Sequence, residues 1–152
     1  MNKSVLIADD SDQSRELVRI VLEQAGHSMR EAANGSDALL IARAFPPDLI
    51  VLDLRMPGLD GFGVVEALRA DPRLRTIPVM ALTASAMSGD REKALAAGFA
   101  VFIAKPAGLK ELRAEVERLL AGDTPTPARI ALVRRRTRGL SRHTQLLSKA
   151  VC

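Results

Sequence analysis

Residues 4–26, SVLIADDSDQSRELVRIVLEQAG, contain in succession a predicted strand, a polar turn and a predicted helix. The apolar run VLIAD (5–9) is typical of a short buried strand. Ser11 or Asp12 can cap the helix that follows, and Gly26 occupies a position that commonly ends one. The residues that recur at helical spacing between them are Leu17, Ile20, Val21 and Gln24. This stretch therefore predicts one complete β–α unit.

The predicted strand ends on two adjacent carboxylates, Asp9 and Asp10, and Asp12 follows two residues later. Like charges side by side repel each other and resist removal from water. Such a cluster usually has a bound cation or a special chemical task. The alternative is that these acids form a solvated helix cap.

The alternation of strand and helix continues along the chain. A weaker, alternating segment predicts a strand near an edge of the sheet at 27–32, and apolar runs predict strands at 48–53, 77–83 and 100–104. The segments between them have helical periodicity, with Asn34 and Ser88 as predicted caps, and the last helix is predicted over 108–122. Five β–α units predict an α/β fold, a doubly wound parallel sheet with helices on both faces.

In such a sheet the ligand site lies beyond the carboxyl ends of the strands, beside the switch in strand order. The polar residues predicted at those ends are Asp9, Asp10, Asp53, Thr83 and Lys105. Three carboxylates suit a hard divalent ion such as Mg²⁺. An ammonium group and a hydroxyl are well matched to a tetrahedral anion. Together these groups indicate phosphoryl transfer, in which a carboxylate can itself be the nucleophile.

Three segments carry a resemblance to a known family: IVLDLRMPGLDG (50–61), VMALTA (79–84) and AGFAVFIAKP (97–106). With the acidic pair, they resemble the receiver domain of two-component response regulators, over residues 3 to about 121. The resemblance implies a (βα)5 flavodoxin-like fold of the chemotaxis-regulator type, with strand order 2-1-3-4-5.

The resemblance also implies roles for individual residues. Asp53 is the expected phosphoacceptor, with a histidine kinase or a histidine phosphotransfer protein as the phosphodonor. Asp9, Asp10 and Asp53, with the backbone carbonyl of Arg55, are the expected Mg²⁺ ligands. Lys105 is expected to pair with the phosphoryl oxygens. For the Arg55 side chain, the expectation is that it shields the phosphoryl group or contacts a partner.

The predicted switch consists of Thr83 and Phe102. In the family, the hydroxyl residue moves to hydrogen-bond the phosphoryl group, and the aromatic residue then turns inward. The alternative for Phe102 is an ordinary core residue, because it alternates within an apolar strand. The resemblance further implies a cis peptide between Lys105 and Pro106.

Charge divides the chain into two parts. Residues 1–122 carry 15 basic and 17 acidic residues, whereas residues 123–152 carry 7 basic and 1 acidic. We expect a receiver domain over 1–122 and a basic tail over 123–152, disordered or partly helical. The tail is too short for the DNA-binding domains that often follow receivers, and we do not expect it to bind nucleic acid.

Cysteine content and hydropathy restrict the class of protein further. Cys152 is the single cysteine, which excludes an intrachain disulfide, and no apolar run is long enough to span a membrane. These features predict a cytoplasmic protein.

The predicted function is a single-domain response regulator of a two-component or phosphorelay system. Phosphorylation of Asp53 would switch a partner-binding surface around the fourth and fifth β–α units. Catalysis of its own phosphotransfer and dephosphorylation is implied by the family; the downstream partner and homodimer formation are left open. The alternatives are a haloacid-dehalogenase-type phosphatase, using Asp10 and Asp12, and a transcription factor whose tail binds DNA.

Overall fold

The computed structural model describes residues 3–84, 87–105 and 108–122, in which strands and helices alternate. The strands are β1 (Ser4–Ala8), β2 (Ser28–Ala32), β3 (Leu49–Leu52), β4 (Val79–Thr83) and β5 (Val101–Ala104). The helices are α1 (Asp12–Gln24), α2 (Gly35–Ala44), α3 (Gly61–Ala70), α4 (Asp90–Ala97) and α5 (Leu109–Leu120). Each of the five predicted β–α units is present.

All strand pairs are parallel, and the sheet order is β2-β1-β3-β4-β5. This confirms the predicted doubly wound α/β fold and its strand order. The chain moves outward from β1 in one direction to β2 and in the other to β3. The switch in strand order therefore lies at the carboxyl ends of β1 and β3, where a ligand site is expected.

Two hydrophobic cores cover the two faces of the sheet. In β3, Ile50 and Leu52 point to the core formed with α2, α3 and α4, whereas Leu49 and Val51 point to the core formed with α1 and α5. All four side chains are buried. Burial on both faces explains why this strand is an uninterrupted apolar run rather than an alternating one.

Two of the predicted caps are confirmed and one is wrong. The side chain of Ser11 accepts a hydrogen bond from Ser14 N–H, and the side chain of Asn34 accepts one from Asp37 N–H. Ser88 does not cap α4: the N-cap is Gly89, in the left-handed conformation at φ +86° and without a side-chain hydrogen bond. The side chain of Asp90, the residue after Gly89, accepts the Met87 N–H instead and closes the turn before α4.

The buried face of α1 differs from the spacing seen in the sequence. Val18 and Leu22 are its buried residues, whereas Leu17 and Ile20 remain 49% and 40% exposed. Val18 and Leu22 are four residues apart and face the sheet together. Leu17 and Ile20 therefore lie toward the edge of the helix and remain available for contacts outside the core.

Two predictions fall outside the described residues. These are the Lys105–Pro106 peptide and the basic tail over 123–152. Among the helices of the described ranges, none has the length and apolar content needed to cross a membrane.

Candidate functional site

The acidic residues lie together where β1 and β3 end. Backbone pairing places them there, because the Asp53 N–H donates to the Ala8 carbonyl at 2.9 Å. One carboxylate oxygen from each of Asp9, Asp10 and Asp53 lies within 4.8 Å of the others. Asp9 and Asp53 are 3% and 8% exposed, whereas Asp10 is exposed. The structure thus brings the three predicted carboxylates into one pocket.

Lys105 lies at the same pocket, at the end of β5. Its Nζ donates to Asp9 Oδ2 at 2.6 Å and to Ser14 Oγ at 3.0 Å. The other oxygen of Asp9, Oδ1, accepts the Ser11 N–H at 2.9 Å. Both oxygens of Asp9 are therefore held, and the lysine brings a positive charge beside two buried acids.

Asp53 has two hydrogen-bond donors. Burial raises the pKa of its carboxyl group, and the nearby charge of Asp9 acts in the same direction. The Arg55 N–H, 3.2 Å from Oδ1, the Thr83 side chain and the charge of Lys105 lower the pKa but do not offset the rise. The carboxylate is therefore less stable as an anion than in water, and a cation placed beside it would relieve this cost.

The donor set fits Mg²⁺. All three side chains offer hard carboxylate oxygens, and neither sulfur nor imidazole is present in this cluster. Asp12 lies outside the cluster, because it is exposed and forms an ion pair with Arg15. Asp9, Asp10 and Asp53 are therefore the side chains that would hold the ion, and the Arg55 carbonyl stays a predicted fourth ligand.

Comparison with known proteins decides the family. Residues 5–117 match the response regulator receiver domain. The chain belongs to this family. Among curated relatives, the polar-differentiation response regulator DivK of Brucella anthropi is 41% identical over 106 residues, covering 70% of this chain and 86% of DivK. DivK of Brucella ovis is 40% identical over the same length.

Solved receiver structures agree with this receiver in fold. The signal receiver domain of a histidine kinase from Syntrophus aciditrophicus is 35% identical and superimposes with a TM-score of 0.74. That alignment covers 82% of this chain and 94% of the Syntrophus domain. The chemotaxis protein CheY4 of Vibrio cholerae is 29% identical, with a TM-score of 0.73, and the alignment covers 78% of this chain and 99% of CheY4.

Both predicted switch residues of this receiver are buried. Thr83, at the end of β4, is fully buried, and its carbonyl accepts the Lys105 N–H at 2.8 Å. Phe102 in β5 belongs to the core formed with α2, α3 and α4. The guanidinium carbon of Arg91 lies 5.1 Å from the centre of the Phe102 ring. The aromatic side chain is therefore inward in this structure, and its role as a switch stays a prediction.

The Arg55 side chain of this receiver has a partner that sequence reasoning missed. Its Nη2 donates to both carboxylate oxygens of Asp90, at 2.6 Å each, at the start of α4. Asp90 is almost fully buried. Burial acts to raise the pKa of Asp90, but the Met87 N–H, Arg55 and Lys93 together hold it below its ordinary value. No short-range pattern signals a pair 35 residues apart in sequence.

Proposed function

We propose that this chain is a response regulator that accepts a phosphoryl group on Asp53 in a Mg²⁺-dependent reaction and then changes its partner-binding surface. The observation that carries the proposal is the position of the Asp53 carboxylate. It is buried, receives hydrogen bonds from Thr83 and the Arg55 N–H, and lies within 4.8 Å of the two other acids.

In the proposed reaction an oxygen of the Asp53 carboxylate attacks the phosphorus of a phosphohistidine or of a small acyl phosphate. The bond from phosphorus to the donor breaks, and the donor leaves with the bonding electron pair. Lys105 and Thr83 contact the phosphoryl oxygens and offset their charge. Mg²⁺ held by Asp9, Asp10 and Asp53 would supply further neutralisation of the phosphoryl charge.

A groove beside Lys105 supports docking of a phosphodonor protein. It has a volume of about 250 Å³ and lies between α1 and α5, with Leu17 and Leu109 at its exposed edge. An apolar surface at the mouth of a charged pocket suits a protein donor that places one phosphohistidine at Asp53. A histidine kinase or a histidine phosphotransfer protein is the proposed donor, in the cytoplasm. A downstream protein is the proposed target.

The domain division belongs to the same proposal. Residues 1–122 are the proposed receiver, and residues 123–152 a separate basic tail. The family match over 5–117 and the end of α5 at Leu120 support this boundary.

The test is intact-mass spectrometry after incubation with acetyl phosphate, with and without Mg²⁺. We expect the wild type to gain one phosphoryl group only when Mg²⁺ is present, and Asp53→Asn to gain none. Asp48→Asn is the matched control, since Asp48 precedes β3 at its opposite end and bonds the Ser4 N–H.

Phosphorylation of Asp53→Asn to the wild-type extent would refute the assignment of the phosphoacceptor. If the wild type gains no phosphoryl group, a titration with beryllofluoride separates rapid hydrolysis from an incompetent pocket. Failure of both phosphorylation and beryllofluoride binding would refute the proposed function.

A further inference from the structure

Asp9, Asp10, Asp53 and Lys105 form the acidic pocket. The backbone of Arg55 belongs to this pocket, but its side chain does not. Its N–H lies 3.2 Å from Asp53 Oδ1, whereas its guanidinium group contacts the Asp90 carboxylate on α4. Rotation about the side-chain bonds would carry the charged group from α4 toward the mouth of the pocket. The ion pair with Asp90 therefore decides where this positive charge lies.

Asp90 is well placed to bind the Arg55 guanidinium. Its carboxylate is almost fully buried and accepts the Met87 N–H at 2.8 Å as well as the Arg55 guanidinium. That hydrogen bond and the helix start fix its orientation. Asp90 therefore accepts a backbone N–H and the Arg55 guanidinium at the same time.

Within the described residues, the hydrogen bonds of the Arg55 guanidinium go to Asp90. Its Nε is buried and has no hydrogen-bond partner in the part of the chain that the structure describes, a condition that is unfavourable for a buried donor. The contacts of Nη2 with Asp90 compensate for this cost. Without the Asp90 charge, the guanidinium would leave this position, and the nearest anionic group on its own loop is Asp53, two residues earlier.

We infer that Asp90 is a positioning residue for the metal site: it holds the Arg55 guanidinium away from the acidic pocket and so preserves the affinity of the pocket for Mg²⁺. The inference rests on the proposed function. A guanidinium beside Asp53 would repel a divalent cation and occupy the oxygens that are its ligands. Lys105 already provides one positive charge there, and a second would oppose the ion further.

The test measures the Mg²⁺ affinity of the full chain by calorimetric titration with the metal alone, at low ionic strength. We expect Asp90→Asn to weaken binding about threefold to tenfold, as the freed guanidinium enters the pocket. Glu92→Gln removes an equal charge from an exposed position on the same helix and is the control for net charge. It should change the affinity less than Asp90→Asn does.

The decisive comparison uses Arg55→Gln and the double variant Arg55→Gln/Asp90→Asn. If Asp90 acts through the guanidinium, the double variant should bind Mg²⁺ as Arg55→Gln does. An equal loss on adding Asp90→Asn to either background would mean that Asp90 supports the pocket directly, and would overturn the inference. Wild-type affinity in Asp90→Asn would also overturn it.

A second variant guards against loss of folding. Asp90→Ser keeps an oxygen that can accept a backbone N–H near the helix start, but it removes the partner of Arg55. It should weaken Mg²⁺ binding as Asp90→Asn does, and unchanged affinity in a folded Asp90→Ser protein would again overturn the inference.

Failure of the inference can be told from failure of the proposed function. If the wild type takes up a phosphoryl group with Mg²⁺ but Asp90→Asn binds the metal unchanged, only the inference fails. If neither the wild type nor Arg55→Gln binds Mg²⁺, both fail.

Discussion

As the proposed nucleophile, Asp53 has to be an anion, yet it lies where an anion is costly. Burial and the nearby Asp9 raise the pKa of its carboxyl group, and the hydrogen bonds from Arg55 and Thr83 only partly compensate. A carboxylate destabilised in this way gains more from a bound cation than an exposed one does. The buried charge of Asp53 also lowers the free energy of unfolding by a measurable amount.

We expect Asp53→Asn to be more stable than the wild type at neutral pH without Mg²⁺, by roughly 1 kcal/mol, because the variant lacks a carboxylate charge that burial and the nearby Asp9 destabilise. The pKa is higher in the folded than in the unfolded chain. The folded wild type therefore loses stability as the pH rises from the ordinary value of 3.8 through the raised folded-state value. The advantage of the variant should vanish below pH 3.8.

Urea unfolding at a series of pH values measures this difference. Asp48→Asn is the control, because Asp48 is exposed, and loss of its bond to Ser4 should lower stability or leave it unchanged. Equal stability of wild type and Asp53→Asn at every pH would contradict the account of the buried charge.

At the scale of elements, the loop between β3 and α3 packs tightly against the carboxyl end of β3. Gly61 begins α3, and its N–H donates to the Leu54 carbonyl at 3.1 Å. A Cβ at Gly61 would lie 2.5 Å from the Asp53 carbonyl oxygen and 2.9 Å from Leu54 Cα. The absence of a side chain at this position therefore allows α3 to approach the carboxyl end of β3.

We expect Gly61→Ala to lower the free energy of unfolding by about 2 kcal/mol, because the clash is with backbone that cannot move aside. It should also weaken Mg²⁺ binding, since relief of the clash displaces Asp53. Gly108→Ala at the start of α5 is the matched control: a Cβ there meets no atom of the described residues within 4 Å, and the change should stay within about 0.5 kcal/mol. Chemical denaturation of both variants is the measurement, and equal costs would contradict this reading of the loop.

At the scale of the whole molecule, the acidic pocket joins elements that come from distant parts of the chain. Asp9 follows β1, Asp53 follows β3 and Lys105 follows β5, and the Lys105–Asp9 ion pair spans 96 residues. A ligand bound there contacts groups that are adjacent only in the folded chain. Its binding is therefore linked to folding of the whole domain.

We expect Mg²⁺ at ten times its dissociation constant to raise the free energy of unfolding by about 1.4 kcal/mol. The measurement is thermal or urea unfolding followed by circular dichroism. NaCl at matched ionic strength should not reproduce the effect, and Asp53→Asn should reduce it. A wild-type response to Mg²⁺ no larger than the response to NaCl would mean that screening of surface charge explains the stabilisation.

Local patterns predicted much of this protein. Apolar runs marked four of the strands and a weaker alternating segment marked β2. Ser11 and Asn34 capped their helices as predicted, because a cap depends on atoms within three residues. Residues at the strand ends could be assigned to one edge of the sheet, since parallel strands end together. The family resemblance supplied the strand order, which periodicity alone does not contain.

The remaining features depend on how the elements pack. Val18 and Leu22 became the buried face of α1 because the sheet lies on that side, although Leu17 and Ile20 are equally apolar. The pair of Arg55 and Asp90 exists because α4 begins beside the loop after β3. Sequence by itself determined the elements and the chemistry at their ends, because both are encoded within a few residues. Only the tertiary structure decided which charge faces which, because that depends on distances between segments far apart in the chain.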